Sequence, residues 1–194
     1  MKNILFKIYL KLFHYKELLN GALLKFHIAA LYHEQTELGE NSYFGKGFSI
    51  KIEFEKALLK VGNNVCFKEY CSVTIADNGK IEIGNNVFFN SGCSISSLDT
   101  IRIGDNSIFG QGVKIYDHNH KYHDKEKIII DQGYTTGAVV IEENCWVGAN
   151  VVILKGVKIG QHSVVGANCI INTNIEPYSL VVSDSRNQIV KNIS

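Results

Sequence analysis

Three histidines lie close together in the segment Tyr116-Asp-His-Asn-His, which continues to His123. Histidine has an ordinary pKa near neutral pH, so it suits a general base that removes the proton of a hydroxyl group. His118 is the first candidate because it comes only three residues after Ile115, at the end of a regular pattern described below, and His120 is the second. The chemistry that these residues favour is removal of a proton from a hydroxyl group.

Asp117 stands directly before His118 and is a candidate to orient its ring, although a backbone carbonyl would serve equally well. The same histidines also raise the possibility of a metal site, since three imidazole nitrogens are a common zinc set. A histidine at the facing position of an earlier repeat would be needed to build such a site, and the sequence from Leu38 to Ile115 contains none. We therefore expect no metal.

An internal repeat of six residues must position these side chains. A bulky apolar residue opens each unit, and the five units from Ile141 to Ile170 follow one another without a break. The openers fall into groups of three, with extra residues only between groups or after Ile115, as a three-sided coil requires. The predicted inward-facing openers are Leu38, Phe44, Ile50, Val61, Phe67, Val73, Ile83, Phe89, Ile95, Ile103, Phe109, Ile115, Ile141, Val147, Ile153, Ile159, Val165 and Ile171.

Two further positions of the repeat have their own residue types. The fourth residue of the first unit is asparagine in five coils, which predicts a corner in the left-handed backbone region. The fifth place of a unit takes small residues, and we expect the cysteines there to pack as small apolar side chains. These residues are Asn41, Asn64, Asn86, Asn106 and Asn144, with His162 in the sixth coil, and Cys71, Cys93, Cys145 and Cys169; Cys66 is expected to face outward.

The longest interruption of the repeat, residues 116–140, carries the histidines. Long excursions from a rigid scaffold are where binding and catalysis concentrate. Tyr122, Lys125, Lys127 and Tyr134 of this excursion are candidates to recognise a substrate, and a solvated loop is the alternative.

Composition limits the function classes. The chain has 194 residues, 45% of them hydrophobic, and a net charge of +1, which favours one core-bearing domain and gives no reason to expect nucleic acid as a partner. Lysines interrupt the apolar start, so neither a membrane-spanning helix nor a signal peptide is predicted. We expect a cytoplasmic protein whose five cysteines form no disulfide framework.

With this repeat, residues 38–180 resemble the hexapeptide-repeat acyltransferase superfamily, including galactoside and maltose acetyltransferases and bacterial sugar O-acetyltransferases. The resemblance implies an all-β fold, a left-handed parallel β-helix of about six coils. It also implies acetyl-CoA as the acyl donor and a homotrimer with active sites between adjacent prisms. The catalytic histidine of the family falls at His118.

The resemblance assigns further site residues. Asn90 matches an asparagine of the galactoside and maltose enzymes and is expected to donate its amide to the developing oxyanion or to the acceptor. Trp146, an exposed tryptophan on the outside of the prism, is expected to contact the pantetheine arm or a neighbouring subunit. The coenzyme groove is expected to include Gly148, Ala149, Gly166 and Ala167, and acceptor contacts are assigned to Asp117, His120 and Asp99.

Segments outside the repeat divide the chain into three parts. Residues 1–36 are expected to be helical, residues 37–176 to form the β-helix domain, and residues 177–194 to form a C-terminal tail. The N-terminal helices either cap the open end of the prism or, through residues 1–34, lie on an anionic membrane surface.

Together these features predict an O-acetyltransferase that acts on a sugar hydroxyl, in capsule, exopolysaccharide or O-antigen biosynthesis. Two alternatives belong to other classes. One is a catalytically silent β-helix that serves as a scaffold or assembly subunit. The other is a zinc carbonic anhydrase of the gamma class, which shares the prism fold.

Overall fold

The computed structural model describes residues 11–12 and 20–183 and, for the backbone alone, residues 188–192. Its strands form three parallel sheets that are the faces of one prism, and each coil of the chain supplies one strand to each face. The architecture is that of a left-handed parallel β-helix with about six coils, as predicted from the repeat and the resemblance.

The first two faces contain the following strands. The first sheet comprises β1 (Thr36–Leu38), β4 (Leu58–Val61), β7 (Lys80–Ile83), β10 (Thr100–Ile103), β15 (Val139–Ile141) and β18 (Lys158–Ile159). The second sheet comprises β2 (Tyr43–Phe44), β5 (Cys66–Phe67), β8 (Phe88–Phe89), β11 (Ile108–Phe109), β16 (Trp146–Val147), β19 (Val164–Val165), β21 (Ser179–Ser183) and β22 (Gln188–Asn192).

The third face and the excursion complete the set of strands. The third sheet comprises β3 (Ser49–Ile52), β6 (Ser72–Ile75), β9 (Ser94–Ser97), β12 (Lys114–Tyr116), β17 (Val152–Ile153) and β20 (Ile170–Ile171). The excursion forms an antiparallel hairpin of β13 (His118–His120) and β14 (Tyr134–Thr136), with a 3₁₀ turn at Ile129–Gln132 between the two strands.

The predicted openers form the core of the prism. All of them are buried except Leu38 and Ile50, and those two pack against the same core. Equivalent openers of successive coils lie in register, because each parallel pair aligns them side by side. Four phenylalanines stack inside the second sheet with ring centroids 5.4, 4.5 and 4.7 Å apart, in the order Phe44, Phe67, Phe89 and Phe109.

The corner prediction is confirmed. The five asparagines and His162 all have φ between 54° and 60°. The amides of successive coils form a ladder, in which Asn64 donates to Asn86 at 3.1 Å and Asn86 donates to Asn106 at 3.0 Å. Apart from the step between Asn106 and Asn144, each corner is therefore held both by its own backbone preference and by a side-chain hydrogen bond to a neighbouring coil.

The cysteine prediction is also confirmed. Cys71, Cys93, Cys145 and Cys169 are buried, Cys66 is half-buried, and all five are free thiols. Burial raises the pKa of the Cys145 and Cys169 thiols. Since the thiolate is the reactive form, burial makes the Cys145 and Cys169 thiols poor nucleophiles.

A helix over residues 20–31 lies at the first coil. Ile28 is 1% exposed and joins the prism core, and the Lys25 ammonium donates to the carbonyl of Gly39. Gly21 faces the ring of Tyr43 so closely that a Cβ would lie 2.6 Å from it. These contacts place the helix over the start of the coil stack. Of residues 1–19, only 11–12 lie within the described part of the chain.

The chain continues the prism beyond residue 176, where we expected a tail. Ser179–Ser183 pairs in parallel with β19, and Val181 is fully buried beside Val165. Gln188–Asn192 then pairs antiparallel with Ser179–Ser183 and forms the last strand of the second sheet. In the structure, the coil stack thus ends in a hairpin.

Candidate functional site

A buried carboxylate lies at the point where the excursion leaves the prism. Asp117 follows β12 at the edge between the third and first sheets, and its side chain has no solvent exposure. It accepts hydrogen bonds from the Ser97 hydroxyl at 2.6 Å and from the backbone N–H groups of Leu98 and Asp99, each at 2.9 Å. All three donors belong to the same corner of the preceding coil. The preceding coil of the prism therefore fixes the position of this carboxylate.

The fourth partner of Asp117 is the His118 ring, whose Nδ1 lies 3.0 Å from the Asp117 carboxylate. An ionised carboxylate can only accept, so Nδ1 carries the hydrogen and a neutral ring keeps its lone pair on Nε2. The Nε2 atom makes no hydrogen bond to any described residue, and the side chain is 16% exposed. This arrangement presents a free base at the foot of the excursion.

Aromatic rings enclose His118. Tyr116 and Tyr134 approach it edge-on, with centroids 6.3 and 5.6 Å away. His120 is exposed and lies 4.5 Å from the Tyr134 ring, so it borders the same space without touching the carboxylate. Asp99 is half-buried, and its side chain accepts a hydrogen bond from Thr100 at 3.3 Å.

The burial of Asp117 corrects one expectation. A carboxylate with no exposed surface and four donors around it cannot contact a sugar acceptor, so the acceptor contact assigned to Asp117 does not agree with the structure. Its contacts leave it the role of orienting His118, which was one of the two orienters that the sequence allowed.

Sequence reasoning missed Ser97, although a signal was present. In the third sheet the inward column passes from Ile52 to Ile75 to Ser97, and Asp117 follows in the next coil. Two successive polar residues replace isoleucines in a buried apolar column. Buried polar side chains are normally hydrogen-bonded, so that break in the pattern predicts a buried pair.

The other predicted site residues lie on a different edge of the prism. Asn90 occupies the corner between the second and third sheets, and the glycines Gly110, Gly148 and Gly166 occupy the same place in the next three coils. The backbone N–H of Ser91 donates to the Asn90 side-chain oxygen at 2.8 Å, and no described residue bonds the amide nitrogen. Within one chain the third sheet separates Asn90 from His118, a width of roughly 17 Å for about five extended residues.

Along the edge that carries Asn90, the later coils have glycine or alanine at the corner. Trp146 is 53% exposed on the outer side of the second sheet, as predicted, and Ala149 and Ala167 are the corner side chains beside it. Gly148 is required by the stacking of coils, because a Cβ there would lie 2.6 Å from the nitrogen of Ala167. Small corners beside an exposed indole fit a thin, extended arm such as pantetheine.

The outer side of the second sheet is apolar from β2 to β21. The register aligns one outward residue from every coil: Tyr43, Cys66, Phe88, Ile108, Trp146, Val164 and Leu180. The matching column of the first sheet instead carries charged pairs, such as Lys60 with Glu37 at 2.9 Å and Arg102 with Glu82 at 2.9 Å. We refer to the aligned residues of the second sheet as the apolar column.

Among the described residues, no group of three or more histidine, cysteine or acidic side chains is arranged to hold a metal ion. No helix in that part of the chain combines the length and the hydropathy needed to cross a bilayer.

Known proteins share this pattern. Residues 138–173 match the family described as bacterial transferase hexapeptide (six repeats). A probable acetyltransferase of Mycobacterium tuberculosis is 29% identical over 150 residues, which cover 77% of this chain and 49% of that protein. A putative lipopolysaccharide biosynthesis O-acetyl transferase of Escherichia coli is 34% identical over 103 residues, which cover 50% of this chain and 52% of that protein. The chain therefore spans about half the length of each of these relatives.

A solved structure extends the likeness over most of the chain. A hexapeptide-repeat acetyltransferase of Vibrio cholerae, complexed with acetyl-CoA, is 25% identical and superimposes with a TM-score of 0.59 over 88% of this chain and 78% of that one. The repeat, the three-sided coil and these similarities show that the chain resembles hexapeptide-repeat acetyltransferases in sequence and in fold.

Proposed function

We propose that this protein is an O-acetyltransferase that transfers an acetyl group from acetyl-CoA to a sugar hydroxyl, with His118 as the general base. The observation that carries the proposal is the buried Asp117–His118 pair, held by Ser97 and two backbone N–H groups at the foot of the excursion. Acyl transfer to a hydroxyl needs one base of this kind and no covalent enzyme intermediate.

Acetyl-CoA, when bound, supplies an acetyl group on a thioester carbonyl. The neutral His118 ring takes the proton of the acceptor hydroxyl at Nε2 as that oxygen attacks the carbonyl. The ring then returns the same proton to the leaving sulfur, so the products are an acetyl ester and a thiol and His118 is neutral again. Asp117 keeps the Nδ1 hydrogen in place and stabilises the transient positive charge on the ring.

The residues assigned to the donor lie on the Asn90 edge and the base lies on another edge, so one chain holds two half-sites. We propose that a homotrimer joins the His118 edge of one copy to the Asn90 edge of the next. The apolar column supports this assembly, because Ile108 is 44% exposed and Trp146 53% exposed in a single copy. The free amide nitrogen of Asn90 would then donate to the developing oxyanion.

The biological setting is inferred from similarity. The lipopolysaccharide relative of Escherichia coli favours an acceptor in a bacterial surface polysaccharide such as capsule, exopolysaccharide or O-antigen. We place the protein in the cytoplasm, where acetyl-CoA is made. The N-terminal segment, which carries lysines among apolar residues, supports peripheral contact with an anionic membrane surface.

Thermal stabilisation by acetyl-CoA tests the donor before any acceptor is known. A ligand that binds only the native protein raises its melting temperature, so acetyl-CoA is expected to raise it and the adenine nucleotide alone to raise it much less. No shift at saturating acetyl-CoA would contradict the proposal.

Two variants test the base. His118→Ala is expected to keep the stabilisation by acetyl-CoA and to lower the transfer rate by about 10²-fold to 10⁴-fold, the usual contribution of a general base. His120→Ala is the comparison variant, since His120 is exposed and touches no carboxylate, and it should lose much less activity than His118→Ala. Loss of transfer in His120→Ala with a normal rate in His118→Ala would move the role to His120.

A further inference from the structure

A groove runs along the same prism edge as His118 but on the earlier coils. Three successive corners between the third and first sheets form its wall, and its volume is about 730 Å³. Phe54 and Glu55 come from the first coil, Asp77 and Asn78 from the second, and Leu98 from the third. From opener to opener, these corners contain more residues than the asparagine corners between the first and second sheets, and the extra residues form the groove.

Leu98 connects this groove to the catalytic pair. Its side chain lines the upper end of the groove, and its backbone N–H donates to Asp117, which in turn holds His118. Coils stack about 4.8 Å apart, so the corner with Phe54 lies roughly 14 Å below the coil that presents His118. A molecule with its hydroxyl at His118 and its body in the groove is longer than one sugar ring.

Apart from Glu53, which pairs with Lys51, the side chains that line the groove lack a polar partner among the described residues of one copy. Phe54 exposes 51% of its surface. No described residue forms a hydrogen bond or ion pair with the side chains of Glu55, Asp77 or Asn78. The acidic residues of the first sheet differ, since Glu37, Glu82 and Glu142 each pair with a cation of a neighbouring coil.

The exposed phenyl ring and the unpaired carboxylates of the groove favour particular kinds of ligand. An exposed phenyl ring offers an apolar face to the C–H face of a sugar, and unpaired carboxylates accept hydrogen bonds from hydroxyl or ammonium groups. A phosphate or carboxylate on the ligand would meet two unpaired carboxylates, Glu55 and Asp77, against the single ammonium of Lys56. The groove therefore favours ligands that donate hydrogen bonds and disfavours anions.

We propose that this groove binds the body of the acceptor, and that the acceptor is a neutral or amine-bearing oligosaccharide and not an anionic sugar. The inference rests on the proposed function and adds the acceptor class to it. Phe54 is the stacking platform, Asp77 and Glu55 select against negative charge, and Leu98 forms the boundary next to the catalytic pair.

An array of neutral, amine-bearing and anionic oligosaccharides, followed by calorimetry with the full-length chain, tests the proposal. Neutral or amine-bearing oligosaccharides are expected to bind and anionic ones are not. Phe54→Ala should weaken that binding about tenfold or more, which corresponds to the loss of one stacking contact. Phe26→Ala is the matched control, because Phe26 is 75% exposed on the helix, away from this edge, and its loss should leave binding unchanged.

A charge reversal gives a second readout. Asp77→Lys is expected to admit anionic oligosaccharides that the natural protein rejects. Preference of the natural protein for anionic sugars, no binding of any neutral or amine-bearing oligosaccharide, or unchanged binding in Phe54→Ala would overturn the proposal. Stabilisation by acetyl-CoA is measured separately, so an unchanged Phe54→Ala with a normal acetyl-CoA response rejects the groove alone, whereas sugar binding without that response rejects the acetyltransferase.

Discussion

At the scale of single residues, the site depends on one fully buried charge. Asp117 is stable in that position because four donors surround it, and three of them come from one corner of the neighbouring coil. Removing one partner of a buried charged group costs more than removing a neutral hydrogen bond. The orientation of the His118 ring therefore depends on the three donors of Ser97–Asp99 that hold Asp117 in place.

Ser97→Ala tests this dependence. The change removes the 2.6 Å hydrogen bond to Asp117 without adding volume, so the free energy of unfolding should fall by about 1.5–3 kcal/mol, the usual range for hydrogen bonds to charged groups. Transfer activity should fall roughly tenfold as the Asp117 carboxylate loses its fixed position. Urea denaturation and acetyl transfer kinetics measure the two effects.

The matched control is Ser72→Ala. The Ser72 hydroxyl donates to the Ser94 hydroxyl at 3.0 Å on the outer side of the third sheet, where both side chains are half-buried and neutral. That variant should lose little stability and no activity. An equal effect of the two substitutions would show that the buried carboxylate has no special dependence on Ser97.

Some of these candidate residues can be identified from the sequence and others cannot. His118 can be identified as a candidate because its type and its distance from Ile115 are both visible in the sequence. The choice between Asp117 and a backbone carbonyl as the orienter cannot be made there, because it depends on which corner of another coil supplies N–H groups. The roles of Asn90 and Trp146 stay predictions, since their contacts lie with a ligand or with another copy of the chain.

At the scale of structural elements, the asparagine corners fix the turn of their coils, and most of them bond to the next coil. The ladder Asn64–Asn86–Asn106 combines a left-handed backbone at each residue with an amide hydrogen bond to the next. Most side chains pay about 1–2 kcal/mol to adopt that backbone region, and glycine does not.

Asn86→Ala and Asn86→Gly separate the two contributions. Both variants lose the amide ladder, but only alanine is strained at the φ of 56°. The free energy of unfolding should therefore fall by about 1–2 kcal/mol more in Asn86→Ala than in Asn86→Gly. Urea denaturation of both variants measures the difference. Equal stability would mean that the ladder, and not the backbone conformation, accounts for the asparagine.

The elements show where a six-residue period is informative and where it is not. It located the prism openers from Leu38 to Ile171, because each opener is buried for the same geometric reason. It could not predict the β13–β14 hairpin, whose pairing of His118 with Thr136 joins residues outside the repeat. It also stopped too early at the C-terminus, where Ser179–Ser183 extends the second sheet without the six-residue spacing.

At the scale of the whole molecule, the two half-sites lie on different edges of the prism. His118 is at the edge between the third and first sheets and Asn90 is at the edge between the second and third sheets. In the proposed homotrimer, a closed ring of three copies would supply each edge with its complement, which a single copy lacks.

Mixed oligomers test this arrangement. His118→Ala and Asn90→Ala chains are each expected to be poorly active alone. When they are co-expressed in equal amounts, about a quarter of the interfaces should combine an intact His118 with an intact Asn90, and activity should recover to about that fraction of the natural level. Activity of the purified mixed oligomers, compared with each variant alone, gives the answer. No recovery in confirmed mixed oligomers would place both residues in one chain's site or outside the reaction.

The phenylalanine stack has a consequence for how the chain finds its fold. Every coil presents nearly the same pattern, so a coil skipped or paired one step out of order would still match apolar residues with apolar residues. The rings are continuous only from Phe44 to Phe109, and the same column continues with Val147, Val165 and Val181. A phenylalanine coil docked among the valine coils places a ring between valines and leaves a void or a clash. The aromatic stack thus distinguishes the first four coils from the later ones, and it disfavours misassembly that exchanges coils between the two groups.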